Sequence, residues 1–395
     1  MRRRSLPLLA IGALLALVSL PMSSVAASAP APADGGKAPT ATVNAAPPSQ
    51  LKVEGNKLVD GSGSTVQLRG VARPGMEWPC AQGWGLVDGP LDDAAVTAIT
   101  SWKVNVVRLH LNEHCWLGLD TIKAEYGGAV YQEMVKGFVD KLQNAGLYVI
   151  IDMHWSAPGN KPATTQQKMA DADHAPDFWT SVATTFKSYP GVIFDLFNEP
   201  QGISDACWRD GCTVEQDVHP PNGWKAVGYQ QLIEVVRATG ATQPVLVQCN
   251  GWGNHCAGVE DPPSTEKGKK NKPKAAEGGW LANRPTDPLN NIIAGVHLYD
   301  YTECNVPGCW DAEIAPLAAE VPVITGEFGD TDCNHDFTDQ YTAWAEEKGI
   351  SYVGYAWYPG SCAGTPSMIK DWDGTPSPYG VGLHDRLASL SSDNG

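Results

Sequence analysis

Beyond its first 20 residues, the 395-residue sequence has no long hydrophobic run. A transmembrane helix needs about 20 apolar residues in succession, and no later stretch approaches that length. The one apolar run, "LPLLAIGALLALVSL", follows Arg2, Arg3 and Arg4 and precedes the small residues of "SVAASA". This order is typical of a secretory signal peptide. We therefore expect residues 1–29 to be removed and the mature protein to be secreted and extracellular, with an uncleaved signal anchor as the alternative.

Positive charge is also scarce. The sequence has 28 Lys and Arg against 44 Asp and Glu, which gives a net charge of −16. A surface this acidic repels nucleic acid and anionic lipid, so we expect neither nucleic acid nor a membrane as a partner. A neutral polysaccharide or oligosaccharide meets no such repulsion.

No internal break divides the main part of the chain. Residues 30–50 are rich in Pro and Ala and have almost no large apolar side chain, which is typical of a flexible spacer. Residues 51–390 are long enough for one large α/β barrel, and a short tail follows at 391–395. The Lys-rich stretch "PPSTEKGKKNKPKAAEGG" (262–279) is too short for a domain and is predicted to be a surface excursion.

Eight apolar, strand-like runs recur with helix-length segments between them. This alternation predicts an α/β fold, a closed (β/α)8 TIM barrel. The segment 131–147 has Met134, Phe138 and Leu142 at helical spacing. In front of the barrel, residues 51–70 predict a hairpin that turns at "DGSG" (60–63) and plugs the barrel floor. The predicted strands are 66–73, 104–111, 147–155, 192–200, 244–252, 292–299, 321–328 and 351–358.

Polar and aromatic side chains stand at the carboxyl ends of these runs. The fourth run, "VIFDLFNEPQ", passes from apolar residues to Asn198 and Glu199. In a (β/α)8 barrel the carboxyl ends of the strands carry the active site; the plain alternative is a loop acid that caps a helix. Unrelated polar ends would each need a partner to offset desolvation, so one shared site is favoured. The residues are Arg108, Asp152, His154, Trp155, Asn198, Glu199, His297, Tyr299, Glu327 and Trp357.

Taken in order, these residues make the sequence resemble glycoside hydrolase family 5, the large cellulase and mannanase family of retaining barrel enzymes. The match covers the whole predicted barrel. "VIFDLFNEP" fits the family's acid/base signature, with Arg108, "DMH", "HLY", "GEF" and Trp357 in support. The resemblance implies that Glu199 is the acid/base and Glu327 the nucleophile. The sequence departs from the pattern at Ala72, where a polar residue, commonly Asn, is expected.

The resemblance also implies roles for neighbouring residues. Arg108 and Tyr299 would hydrogen-bond Glu327 and keep it ionised, and Asn198 would hold the sugar 2-hydroxyl. His154 and His297 are expected to hydrogen-bond rather than bind a metal, because no third ligand lies at metal spacing. No metal or cofactor is expected.

Two further patterns have plain alternatives. The segment "DTDCNHD" (330–336) starts like a calcium loop but has His335 and Tyr341 where Gly and Glu are needed, so it is predicted to be a polar loop. Tryptophan usually packs in a core, but a ring at a strand end can also stack on the apolar face of a sugar. Trp155 and Trp357 are the predicted platforms. The other tryptophans that follow strand ends are Trp116, Trp208, Trp252 and Trp310.

Ten cysteines in an exported protein indicate disulfides. From the layout of the predicted strands, every cysteine falls in a loop at the carboxyl face, where bonds would brace the rim of the site. Cys80 and Cys115 follow neighbouring strands, as do Cys333 and Cys362, and the other pairs are each close within one loop. The predicted pairs are Cys80 with Cys115, Cys207 with Cys212, Cys249 with Cys256, Cys304 with Cys309, and Cys333 with Cys362.

The expected function is hydrolysis of β-glycosidic bonds in a neutral glycan, foremost a β-1,4-glucan, by a secreted monomer. Alternatives on the same scaffold are a mannanase, a xylanase or an exo-acting β-glycosidase. A non-catalytic sugar-binding barrel is disfavoured because both glutamates are present.

Overall fold

Eight parallel strands close into a barrel in the computed structural model, which describes residues 47–215, 223–257 and 278–392. The predicted (β/α)8 class is thus confirmed. The predicted signal peptide, most of the spacer and the C-terminal tail, and nearly all of the Lys-rich stretch lie outside the described residues. The barrel strands are β3 (Arg69–Arg73), β4 (Val106–Asn112), β5 (Tyr148–Trp155), β6 (Val192–Asp195), β9 (Val245–Gln248), β10 (Ile292–Tyr299), β11 (Val323–Gly329) and β12 (Ser351–Gly354).

Helices pack around the strands. Helix α4 (Ala129–Asn144) covers most of the predicted segment 131–147 and buries Val135, Phe138 and Leu142 on one face. Between β9 and β10, the described residues 249–257 and 278–291 form turns and contain no helix. The outer helices are α2 (Asp93–Ser101), α4 (Ala129–Asn144), α5 (Ala175–Phe186), α7 (Tyr229–Ala238), α9 (Ala315–Glu320), α10 (Asp336–Lys348) and α11 (Gly380–Ser392).

The loops at the carboxyl ends of the strands carry structure of their own. A small antiparallel pair, β7 (Cys212–Val214) and β8 (Trp224–Ala226), lies in the loop after β6. Four short helices occupy other positions in such loops: α1 (Pro79–Gln82), α3 (Glu113–Leu117), α6 (Asp205–Asp210) and α8 (Pro307–Glu313).

Five disulfides cross-link these loops, and their pairing is the one expected from the strand layout. Two bonds join loops that follow neighbouring strands, and three close a turn within a single loop. The rim of the barrel is therefore cross-linked, and the barrel strands themselves are not. The bonds join Cys80 to Cys115, Cys207 to Cys212, Cys249 to Cys256, Cys304 to Cys309, and Cys333 to Cys362.

An N-terminal hairpin closes the floor of the barrel. Its strands, β1 (Lys52–Glu54) and β2 (Lys57–Val59), are joined at Gly55 and Asn56, so the prediction of a turn at "DGSG" was wrong for this hairpin. "DGSG" forms the next turn instead, where the Asp60 amide donates to the Ser64 carbonyl. The earlier turn is favoured because it sends Leu58 into the barrel floor, where Leu51 also packs.

Alternation along the strands builds the barrel interior in layers. One apolar cluster at the floor includes a residue from each strand: Ala72, Val106, Ile150, Ile193, Leu246, Ile293, Ile324 and Val353. Two residues further along, β4, β5, β6 and β9 each carry a polar residue: Arg108, Asp152, Asp195 and Gln248. Polar groups thus begin directly above the apolar floor and lead up to the mouth.

Among the described residues, no helix is both long enough and apolar enough to cross a bilayer.

Candidate active site

Two glutamates meet at the mouth of the barrel. Glu327 lies on β11 and is 4% exposed. Glu199 lies just beyond the end of β6, with a φ of 48° that a non-glycine residue adopts only at a cost. The strand predicted at 192–200 is shorter than expected, because β6 ends at Asp195. Glu199 therefore lies in the turn that follows the strand and not in the strand itself. Oxygen atoms of both carboxyl groups and a ring nitrogen of His297 all lie within 4.8 Å of one another.

Arg108 is the fixed cation beneath this pair. Its Nη1 donates to Glu327 Oε1 at 2.7 Å, and its Nη2 donates to Asn198 Oδ1 at 2.9 Å. Two further carboxylates hold the guanidinium from below, Asp195 through Nε at 2.9 Å and Asp152 through Nη2 at 3.1 Å. The predicted contact between Arg108 and Glu327 is present, and the guanidinium is fully buried.

Tyr299 holds the other oxygen of Glu327. Its hydroxyl donates to Glu327 Oε2 at 2.6 Å, while Arg108 occupies Oε1. A hydrogen bond to a carboxylate is charge-assisted and short, so both contacts are strong. The orientation of the Glu327 carboxylate is consequently fixed from two sides.

Glu199 has a different environment. Burial raises its pKa, which His154 and Arg108 oppose, so the protonated form is favoured relative to a carboxyl group in water. His297 Nδ1 lies 3.0 Å from Glu199 Oε1 and 3.8 Å from Glu327 Oε2. Burial lowers the pKa of His297 to about 3, so the imidazole is neutral at ordinary pH.

The predicted His154 also faces this site. Its Nδ1 lies 2.7 Å from Asp152 Oδ2, and burial lowers its pKa to about 4. Burial raises the pKa of both Asp152 and Asp195; the charge of Arg108 opposes this rise, and a neighbouring carboxyl group adds to it in each case. The histidines therefore bring hydrogen-bonding atoms without positive charge, and Arg108 is the cation of the cluster.

Sequence reasoning missed Gln166, which supports the Glu199 turn. Its side-chain amide donates to the carbonyl oxygens of Asn198 and Glu199 at 3.0 and 2.7 Å and accepts from Asn198 Nδ2 at 3.0 Å. Gln166 lies in an irregular loop where no local pattern marks it. His110, also missed, had a signal: it follows Arg108 by two residues and so points into the barrel as well.

Most of the tryptophans that follow strand ends are buried, including one of the two predicted sugar platforms. Trp357 is 1% exposed and packs edge-on against Trp102 with ring centroids 5.0 Å apart. A ring without a free face cannot stack on a sugar, so the predicted platform at Trp357 was wrong. Trp155, at the end of β5, is half-buried. Trp116, Trp208 and Trp310 are buried as well.

Two exposed rings stand beside the mouth. Trp252 is 50% exposed, and its amide donates to the carbonyl of Pro200, the residue after Glu199. Tyr301 is 67% exposed and stacks parallel to Tyr299 at 5.2 Å. These two rings have the accessible faces that Trp357 lacks.

Some carboxylates and histidines are close enough to hold a metal. One such group contains Glu199, His297 and Glu327, and another contains Glu77, His110 and His154. In the calcium-like loop, oxygens of Asp330 and Asp332 also lie within 4.8 Å of each other and of one from Asp300, and Asp330 accepts from the amides of Phe337 and Thr338 at the start of α10. Asp330 acts as a helix cap, in keeping with the predicted polar loop.

A (β/α)8 barrel with two carboxyl groups facing each other at its mouth is an arrangement of glycoside hydrolases. The chain belongs to the cellulase family, glycosyl hydrolase family 5, whose family model matches residues 59–361. Membership confirms the family predicted from the sequence.

The similar proteins include an endoglucanase and a mannosidase. Endoglucanase CelA of Streptomyces lividans is 27% identical over 335 residues, which cover 80% of this chain and 60% of the relative. The mannan endo-1,4-beta-mannosidase of Salipaludibacillus agaradhaerens is 21% identical over 326 residues, 82% of this chain and 86% of the relative. The chain thus spans about three fifths of the length of the endoglucanase.

Solved structures share the fold. A beta-glucanase from Saccharophagus degradans in complex with cellotetraose superposes with a TM-score of 0.61 at 19% identity, covering 87% of this chain and 94% of the other. The catalytic domain of a Thermobifida fusca endoglucanase gives a TM-score of 0.58 at 18% identity, covering 86% and 97%.

Proposed function

We propose that the chain is a retaining glycoside hydrolase that cleaves β-1,4-glucan, with Glu199 as the acid/base and Glu327 as the nucleophile. The observation that carries the proposal is the unequal environment of two carboxyl groups within 4.8 Å of each other. Glu327 accepts two hydrogen bonds, one from Arg108 and one from Tyr299, which fix its orientation for attack. Glu199 keeps 16% of its side chain exposed, and its partial burial raises its pKa.

The separation favours retention over inversion. Retaining enzymes hold their carboxyl groups about 5 to 5.5 Å apart, whereas inverting enzymes need about 6.5 to 9.5 Å to admit a water. One oxygen of Glu199 and one of Glu327 lie within 4.8 Å of each other, which supports the shorter separation of retaining enzymes. Glu327 would therefore attack the anomeric carbon while Glu199 protonates the leaving oxygen, and Glu199 would then deprotonate the water that releases the glycosyl group from Glu327.

Asn198 is held ready for the sugar. Its Oδ1 accepts from Arg108 and one N–H of its Nδ2 donates to Gln166. We expect the second N–H of this amide to reach the sugar 2-hydroxyl, where a hydrogen bond strengthens in the transition state. The neutral rings of His154 and His297 would contact other hydroxyls.

The endoglucanase relatives support a β-1,4-glucan, and the mannosidase relative supports mannan as the second candidate. The exposed rings of Trp252 and Tyr301 could stack on sugars of either chain. Export is supported by the N-terminal sequence and by five disulfides, which persist in oxidising compartments. The monomer stays a prediction that size-exclusion chromatography can measure.

The test compares Glu199→Ala with wild type on soluble cellulose, mannan and xylan and on a dinitrophenyl β-cellobioside. Loss of a general acid costs roughly 10²- to 10⁴-fold, so polysaccharide cleavage should fall by that factor. The activated substrate needs no proton, so it should still form the glycosyl-enzyme, and added azide should release a β-glycosyl azide.

Glu347→Ala, an exposed change on α10, serves as the matched control and should behave as wild type. An α-glycosyl azide, or an unchanged rate of polysaccharide cleavage by Glu199→Ala, would contradict the proposed roles. Faster cleavage of mannan than of cellulose by wild type would replace the substrate and leave the roles intact.

A further inference from the structure

His110 lies fully buried in the barrel, beside the catalytic cluster but outside the roles assigned above. We propose that His110 is a positioning residue: its Nε2 accepts the last free N–H of Arg108 and so fixes the guanidinium that orients Glu327. This inference rests on the proposed function, because the orientation of Glu327 matters only if Glu327 reacts.

The hydrogen bonds of Arg108 leave room for just this acceptor. A guanidinium has five N–H donors and no acceptor. Nε donates to Asp195, Nη2 faces Asn198 and Asp152, and one N–H of Nη1 donates to Glu327. The fifth N–H remains, and His110 Nε2 lies 3.1 Å from Nη1. All five donors are then satisfied, which a buried cation requires.

The contact also determines the tautomer of His110. Because Arg108 can only donate, Nε2 must be unprotonated, and the ring proton must sit on Nδ1. Nδ1 faces Glu77 Oε1 at 3.5 Å. An imidazolium would direct a second N–H at Nη1, so the charged ring is incompatible with this geometry.

The surroundings agree with a neutral ring. Burial and then the charges of neighbouring groups lower the pKa of His110 well below its ordinary value. The titratable and charged groups that face the ring are Glu77, Arg108, His154, Glu327, His297 and Arg73.

Stacking holds the ring in place. The His110 ring lies parallel to that of His154, with centroids 3.9 Å apart and planes 10° apart. Tyr355 stacks on it as well, at 5.8 Å. The acceptor atom is thus held by ring packing, while its partner Arg108 connects it to Glu327.

Two substitutions separate these features. His110→Phe keeps a flat ring for stacking but removes the acceptor, so one N–H of Arg108 becomes unsatisfied. His110→Gln loses the ring but can place an amide oxygen where Nε2 stood. We expect His110→Phe to lower kcat roughly tenfold to a hundredfold with KM within about threefold, and His110→Gln to recover most of that loss. Activities are compared per folded protein, after melting curves and circular dichroism.

Equal kcat in His110→Phe and wild type would overturn the inference, as would a His110→Gln variant no better than His110→Phe. Glu327→Ala is measured alongside: activity there would refute the proposed function, whereas an inactive Glu327→Ala with a fully active His110→Phe refutes the inference alone.

A measurement on the unaltered protein keeps the test decisive even if a variant misfolds. Nitrogen-15 NMR of histidine-labelled wild type distinguishes the two tautomers and the imidazolium. We expect His110 to be the Nδ1–H tautomer from pH 5 to 8. An Nε2–H tautomer or a charged ring in that range would contradict the proposal.

Discussion

Replacing Tyr299 with Phe removes one atom from the site and tests how the nucleophile is held. The hydroxyl donates to Glu327 Oε2 at 2.6 Å and is buried. Phe keeps the ring and its stacking with Tyr301. A hydrogen bond to a charged group contributes about 1.5 to 3 kcal/mol. Because each 1.4 kcal/mol is tenfold, kcat should fall roughly 12- to 150-fold.

The loss in Tyr299→Phe should appear equally on soluble cellulose and on the dinitrophenyl glycoside, because both substrates use the same nucleophile. Initial rates at saturating substrate measure it. Tyr352→Phe is the control, since its hydroxyl donates to Glu346 at 2.7 Å on the outer side of the barrel; it should lose stability but not kcat. A kcat of Tyr299→Phe within twofold of the wild-type value would show that this hydrogen bond does not hold the nucleophile for reaction.

Three other predictions concern stability, substrate contacts and the rim. Burial, together with the nearby charge of Asp171, raises the pKa of Glu113 well above 4.5, so the stability present below about pH 4.5 is lost as the pH rises towards that raised pKa. The unfolding free energy of Glu113→Gln, measured with urea, should therefore increase relative to that of wild type from pH 5 to 8. A difference between the two proteins that does not change with pH would contradict this prediction. Trp357→Ala should lower the free energy of unfolding by about 3 to 5 kcal/mol, whereas Trp252→Ala should raise KM with little change in melting temperature. A raised KM with unchanged stability in Trp357→Ala would instead indicate that Trp357 is a sugar platform. Breaking the bond between Cys333 and Cys362, which are 29 residues apart, should lower the free energy of unfolding by about 3 to 4 kcal/mol. Mild reduction should weaken substrate binding before the barrel unfolds. Binding and circular dichroism measured on the same samples test this order of events.

The sequence sufficed for the parts of this fold that depend on local pattern. Strands buried on both faces appear as apolar runs, so the barrel and its order were predictable, and Glu199 and Glu327 stood out because each follows such a run. The disulfide pairs in the structure also follow from the strand order. Neighbouring loops meet at one face, which brings Cys80 to Cys115, and close spacing within one loop brings Cys249 to Cys256 and Cys304 to Cys309.

Features that depend on the return path of the chain were not predictable. Trp357 looked like a cleft residue, but after β12 its ring packs against Trp102 at the end of the outer helix α2. Two glycine turns competed for the N-terminal hairpin, and only the packing of Leu58 in the barrel floor distinguishes them. Gln166 reaches the Glu199 turn from a loop whose path has no sequence signature.

The proposed mechanism requires that Glu327 forms a covalent glycosyl-enzyme. Incubation with a dinitrophenyl 2-deoxy-2-fluoro-β-cellobioside should inactivate the enzyme, because the fluorine slows release of the glycosyl group more than its formation. Mass spectrometry of the intact protein and of its peptides locates the label. We expect one fluorocellobiosyl group per chain, attached to Glu327, and no label in Glu327→Ala. A label on Glu199, or complete turnover with no covalent adduct, would contradict this mechanism.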